Sequence, residues 1–402
     1  MTILRYLCFF PSITFGLISA EVFPYALTFA LMNMRRVKIT LFLFVCLLIL
    51  SVLFGIWNTN QDSIFKDAVI STLAFLNPLL IFVVILRLPE KIFLKFLITS
   101  RNVFYIFLLL LVIQFSGMFG LLDPAFKALV PRSSAAQLGF RGVTLLSSEP
   151  ARASIEFLFV YLIVRNFWVP RHFINFTDIA VAIVILVVFK SATGLFLYAV
   201  FLALFNRILL WIALPIALYF IVQNVNSSYG RVLFLISSLY SMPFNDAIFL
   251  LMNTSGNRVI SIIAAIQYGL HYPFGGGIGN WRETSVEALF LTGYDYTKLN
   301  YFTVEWKEGT LYFRASGYMM NLMMDMGLFG VTAATMLLFK ITKPFWQLSK
   351  NNKKIFLFFL INIFFVGSVG TPVAWIATAI ILRNSKTAFG SAECYSKQVL
   401  VV

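Results

Sequence analysis

Seven arginines, Arg132, Arg141, Arg152, Arg231, Arg258, Arg282 and Arg314, stand in two polar stretches of the chain where lysine supplies only Lys127, Lys298 and Lys307. The guanidinium is a planar fork of donors, charged at every relevant pH, and it grips phosphate or carboxylate oxygens two at a time. Arginine gathered in this way predicts an anionic ligand. Taken singly, each arginine also has a plain role, anchored at lipid headgroups or paired with Glu283, Glu287, Asp295, Glu305 or Glu308. Arg141, Arg258 and Arg314 carry the collective argument. Each lies next to a predicted helix end, where side chains from separate stretches can converge.

Three further features stand beside the arginines. Glu149, in "FRGVTLLSSEPARAS" (140–154), precedes a proline and follows Ser147 and Ser148. It reads either as an acid at the positive end of a starting helix or as the carboxylate of a reaction centre placed by that helix start. The run "YPFGGGIGNW" (272–281) holds Gly277 among four glycines, which serve a tight turn or let backbone approach a ligand. His271 precedes it and is a candidate base or donor, whereas His172, the other histidine, belongs to a basic turn. No DxD pair, Walker loop or HExxH motif occurs, so neither a metal nor a cofactor is expected.

The elements that must position these residues are helices in a bilayer. With 60% hydrophobic residues, 45 phenylalanines and 12% charged residues over 402 positions, the chain is no soluble globule. Apolar runs long enough to cross about 30 Å of hydrocarbon recur, and backbone groups in lipid must pair internally. The expected fold is an all-α polytopic integral membrane protein of 10 to 12 spans. Spans are predicted near 39–56, 69–86, 103–121, 153–169, 174–190, 193–206, 208–222 and 317–339. Residues 3–34, interrupted by "ISAEVFPYAL", and 355–382, interrupted by "GSVGTP", read either as one long helix or as a broken pair. Met1 to Ala30 lacks the ordered features of a cleavable signal, so the first helix is expected to stay. Cys8, Cys46 and Cys394 read as small core residues.

Basic clusters at Arg35–Lys38, Arg87–Arg101, Arg165–Arg171, Arg207, Lys340–Lys354 and Arg383–Lys386 set the orientation, because positive charge stays on the cytoplasmic side. Segments 57–68, 122–152, about 190–193 and 223–316 then face outward. The arginine-bearing loops are 122–152 and 223–316. The second is long enough to be functional and carries helical periodicity over 231–252 and 257–270. The net charge of +15 suits an anionic inner leaflet, and nucleic-acid binding is not expected.

Four segments together resemble the O-antigen polymerase family (Wzy type) and, more distantly, the O-antigen ligases of the same fold. They are "RGVTLLSSEPARAS", "KSATGLFLYAVFLAL", "SGNRVISIIAAI" with "YPFGGGIGNW", and "ASGYMMNLMMDMGLFG", in order over roughly residues 140–335. The resemblance implies a metal-independent glycosyltransferase of the bacterial inner membrane. It would use undecaprenyl-diphosphate-linked oligosaccharide on the periplasmic face, with a chain-length regulator and a flippase as further partners. On this footing Arg258 is the first candidate to hold the diphosphate, with Arg141 and Arg314 next. Arg152, Arg282 and Gly277 are substrate-binding candidates. Glu149 is the candidate base, with His271 or no protein base as alternatives. The ligases would carry a histidine where this chain has Ser316, which favours the polymerase. A ligase, and a flippase of the same lipid, are the competing readings, the flippase weakened by the few charges within the spans and the lack of an internal repeat.

Overall fold

In the computed structural model, the described residues are 1–13, 23–34, 39–58, 64–116, 128–130, 142–169, 176–211, 258–299 and 311–388, with single positions 243, 246, 249, 250, 252 and 302. The described residues form helices and no strands. In chain order the helices are α1 (Thr2–Leu7), α2 (Pro24–Asn33), α3 (Ile39–Trp57), α4 (Ile64–Ile85), α5 (Glu90–Phe115) and α6 (Pro150–Phe167). There follow α7 (Phe176–Ile183), which runs on as a π-turn over Val184–Phe189, α8 (Ala192–Phe205), α9 (Arg258–His271) and α10 (Trp281–Leu291). The last are α11 (Tyr318–Trp346), α12 (Lys350–Ile361), extended by a π-turn over Asn362–Val366, and α13 (Val373–Ala388).

Four of these helices are long and apolar enough to cross a membrane: α3, α4, α5 and the stretch Tyr318–Phe345 of α11. Shorter apolar helices cover Phe176–Phe189, Ala192–Phe205 and Val373–Asn384. The predicted span at 208–222 and the predicted surface helix at 231–252 lie almost wholly outside the described residues. Both ambiguous ends are broken rather than continuous. Pro24 starts α2 after an extended Phe23, and residues 367–372 separate the π-turn of α12 from α13.

Aromatic packing fixes the middle of the bundle. Trp375 of α13 meets Phe82 of α4, Phe359 of α12 and Tyr318 of α11, with ring centroids 4.9 to 5.7 Å apart. The Tyr318 hydroxyl donates to the Phe75 carbonyl at 3.0 Å. Phe75 lies eleven residues into α4, about 16 Å along its axis. The chain over 311–317, predicted as the end of an outer loop, therefore enters the bundle rather than staying at its rim. It reaches depth because Gly317 donates its N–H to the Gly367 carbonyl at 2.6 Å, in the break between α12 and α13.

Helices α6, α7 and α8 are fixed to one another at both ends. At the basic end the fully buried Asp178 accepts from Arg165 at 2.8 and 3.2 Å, from the Tyr161 hydroxyl at 2.6 Å and from Asn206 at 3.0 Å. At the other end Gly194 lies so close to Ser154 that a Cβ there would sit 2.4 Å from the serine oxygen. The N-termini of α6 and α8 are thereby held side by side.

Candidate functional site

Glu149 occupies the N-cap position of α6, with extended backbone and Pro150 following, as its sequence context predicts. Its carboxylate does not cap the helix. It accepts instead from Arg258 Nη2, at 3.0 Å and across 109 positions of sequence. Arg258 Nη1 donates to the hydroxyl of Thr193, in the first turn of α8. Three of the quoted sequence segments thus meet at one guanidinium. Glu149 is 62% exposed and Arg258 32%, so both remain within reach of a ligand.

Further contacts enlarge the cluster. Ser261, one turn into α9, accepts the N–H of Ser316 at 3.2 Å, which brings the start of α11 to the start of α9. The N-termini of α6, α8, α9 and α11 converge here. The positive ends of helix dipoles at this point add to the positive charge. Arg152, in the first turn of α6, lies close enough to Arg258 to repel it electrostatically. Burial lowers the Arg258 pKa, Glu149 raises it and Arg152 lowers it again. Arg152 is also within electrostatic reach of the buried Glu156, so two arginines and two carboxylates share this point with the helix starts, and Arg258 and Arg152 are the groups that an added anion would meet.

The loop that presents Glu149 is held from three sides. Gln114 of α5 both donates to and accepts from the backbone of Leu145, each at 2.9 Å. Leu145 has φ 52°, a left-handed conformation rare for a branched side chain, and this paired grip stabilises it. Val143 donates to the Val188 carbonyl at 3.0 Å, and the Ser147 hydroxyl donates to the buried Glu156. No sequence reading singled out Gln114 or Glu156 for this role. Gln114 lies in an apolar run, and the only signal available was a polar residue inside a predicted span.

Arg282 and Arg314 form a second group. Arg314 donates to Ser71 at 2.5 Å and to Asp325 at 3.5 Å, and its guanidinium lies 4.4 Å from the Trp281 ring centroid. Arg282 pairs with Asp67 at 3.0 Å and lies over the Tyr312 ring at 5.1 Å. These arginines tie α4, α10 and α11 together, and their charge is already matched by aspartates. Asp325, inside α11, is the buried partner of Arg314.

Gly277 has φ 90°, and a Cβ on it would lie 2.2 Å from the Gly55 backbone of α3. The close approach that its conformation permits is to the protein's own backbone. Its N–H donates to the Asp325 carbonyl at 2.8 Å. That carbonyl lies two residues before Gly327, whose φ of 61° and ψ of −159° break α11 and turn the preceding carbonyls toward the glycine loop. Gly275 docks against this break and Gly276 donates to the Met324 carbonyl, whereas Gly277 packs on Gly55 and Gly279 on Ala68 of α4.

His271 closes α9, thirteen residues and about 20 Å along the axis from Arg258. It packs edge-on against Tyr272 with centroids 4.7 Å apart. At that separation it cannot serve as a base at the Glu149–Arg258 pair. His271→Ala is expected to leave product distribution unchanged and stability within about 0.5 kcal/mol, as for an ordinary exposed position. Loss of product in a stably inserted His271→Ala protein would place the chemistry elsewhere. Arg141 lies outside the described residues, one position before Gly142 at the head of the Glu149 loop.

No family model, no curated protein and no solved structure matches this chain.

Proposed function

We propose that the protein is a polymerase of oligosaccharide repeat units carried on undecaprenyl diphosphate, working at the periplasmic face of the bacterial inner membrane and crossing that membrane 10 to 12 times. The observation that carries the reading is the meeting of Glu149, Thr193 and Arg258, with Arg152 beside them, at four helix N-termini. Such a point suits a diphosphate. The ordered segments that resemble those of the O-antigen polymerases point to undecaprenyl diphosphate as that ligand.

In the proposed reaction a hydroxyl oxygen of the incoming lipid-linked unit bonds to the anomeric carbon of the growing glycan. The bond from that carbon to the diphosphate oxygen breaks, and its electron pair leaves with the undecaprenyl diphosphate. Arg258 and Arg152 stabilise that negative charge as it grows, from positions already held by the fold. Glu149 and the diphosphate compete for the same guanidinium. A bound diphosphate draws Arg258 away from Glu149 and frees the carboxylate to accept the hydroxyl proton. Arg314 and Arg282 support the frame around this point, and Ser316 positions the start of α11.

Gel analysis of surface polysaccharide tests the assignment. A strain lacking the gene should show a single repeat unit on the lipid core, and the wild-type gene should restore a ladder. If the deletion removes the single unit as well, the step performed is ligation or flipping, and the polymerase reading falls.

A further inference from the structure

A cavity of about 460 Å³ opens between α2, α3 and α4, lined by no residue of the Glu149–Arg258 cluster and unused by the proposed reaction. Leu41, Leu80, Val83 and Val84 form its walls, and Asn33 and Arg87 its polar end. Its size is roughly fifteen times the 30 Å³ share of one liquid water. The cavity is open on one side rather than sealed, so its apolar walls are covered by whatever borders the protein there. Water finds polar partners only at the Asn33–Arg87 end; along Leu41, Leu80, Val83 and Val84 it finds none of the two to four that a buried water needs. Hydrocarbon is the remaining candidate.

Arg87 lies two residues beyond the end of α4 and is exposed, whereas Leu80, seven residues earlier, is buried. Seven helical residues span about 10 Å. The cavity thus descends from a cation at one membrane boundary into the apolar layer, the layout of a phosphate with an acyl chain beneath it. In the sequence, Arg35, Arg36 and Lys38 follow directly on Met34, so this end of the chain is rich in positive charge. Such ends face the leaflet that carries anionic lipid.

We infer that an anionic phospholipid occupies this cavity, its acyl chain against Leu80, Val83 and Val84 and its phosphate at Arg87. The site is independent of the proposed transferase reaction. Charge selects the lipid, and the apolar walls select a chain over a free phosphate.

Native mass spectrometry of the delipidated full chain, titrated with phosphatidylglycerol or with phosphatidylcholine of the same acyl composition, provides the test. The wild type should retain one phosphatidylglycerol about fivefold more strongly than phosphatidylcholine, the effect of one basic group near the surface. Arg87→Gln should abolish that preference. Leu80→Trp, which fills the cavity, should lower retention of both lipids, and Val84→Phe does the same by a smaller change should Leu80→Trp not fold. Equal retention of the two lipids by the wild type, or unchanged retention in a folded cavity-filling variant, would overturn the inference.

Discussion

Arg258→Ala should collapse the polysaccharide ladder to a single unit while the protein remains expressed and inserted. Removing one preorganised donor from a developing negative charge typically costs about 10²–10³-fold in rate, or roughly 3 to 4 kcal/mol. Arg258 is the residue through which Glu149 and Thr193 are joined, so the variant also releases the carboxylate. Arg258→Lys should fail nearly as badly. A lysine ammonium keeps the charge but loses the planar fork that reaches Thr193 with one nitrogen and Glu149 with another. Single-turnover transfer with purified protein separates the two contributions. A lysine variant with wild-type rate would show that charge alone suffices, and an alanine variant with wild-type rate would remove the site altogether.

Arg314→Ala and Asp325→Ala should act on folding before they act on turnover. The pair is buried, with side-chain exposures of 15% and 1%, and Arg314 also holds Ser71 and covers Trp281. Taking one partner from a buried ion pair leaves the other uncompensated, at a cost of about 3–5 kcal/mol. Both variants should therefore lower the unfolding midpoint of the detergent-solubilised protein and reduce the yield of monodisperse material. Arg314→Ala/Asp325→Ala together should recover part of that loss, since no lone charge remains. If Arg314→Ala instead retains full stability and loses only product, Arg314 belongs with the diphosphate-binding group, as its sequence position suggests.

The helices that carry the site were readable because each has a local signal. Glu149-Pro150 marks the start of α6, Ser191 caps α8 by accepting the Gly194 N–H at 3.1 Å, and Arg258 opens the periodic run of α9. Local signals also favoured a turn at 275–279. The partners of these residues were not readable. Nothing in the spacing of Arg314 and Arg282 distinguishes them from Arg258, yet Arg314 and Arg282 are matched by Asp325 and Asp67 while Arg258 shares one exposed carboxylate. His271 shares a helix with Arg258, and only the rise along that helix shows the two to be far apart.

By itself the sequence determined the membrane class, the helical character and the starts of α3, α6, α8, α9 and α11, because apolar run length, proline and capping residues act within a few positions of chain; α4 and α5 begin at Ile64 and Glu90, earlier than the predicted 69 and 103. The tertiary structure decided which charges meet. Glu149, Thr193, Arg258 and Ser316 lie on four different helix starts and come together through long-range packing: Asp178 binding α6 to α8, Gly194 against Ser154, and the break at Gly367 receiving Gly317. A guanidinium takes its role from the anions that reach it, and in this chain those anions arrive from as far as 109 residues away.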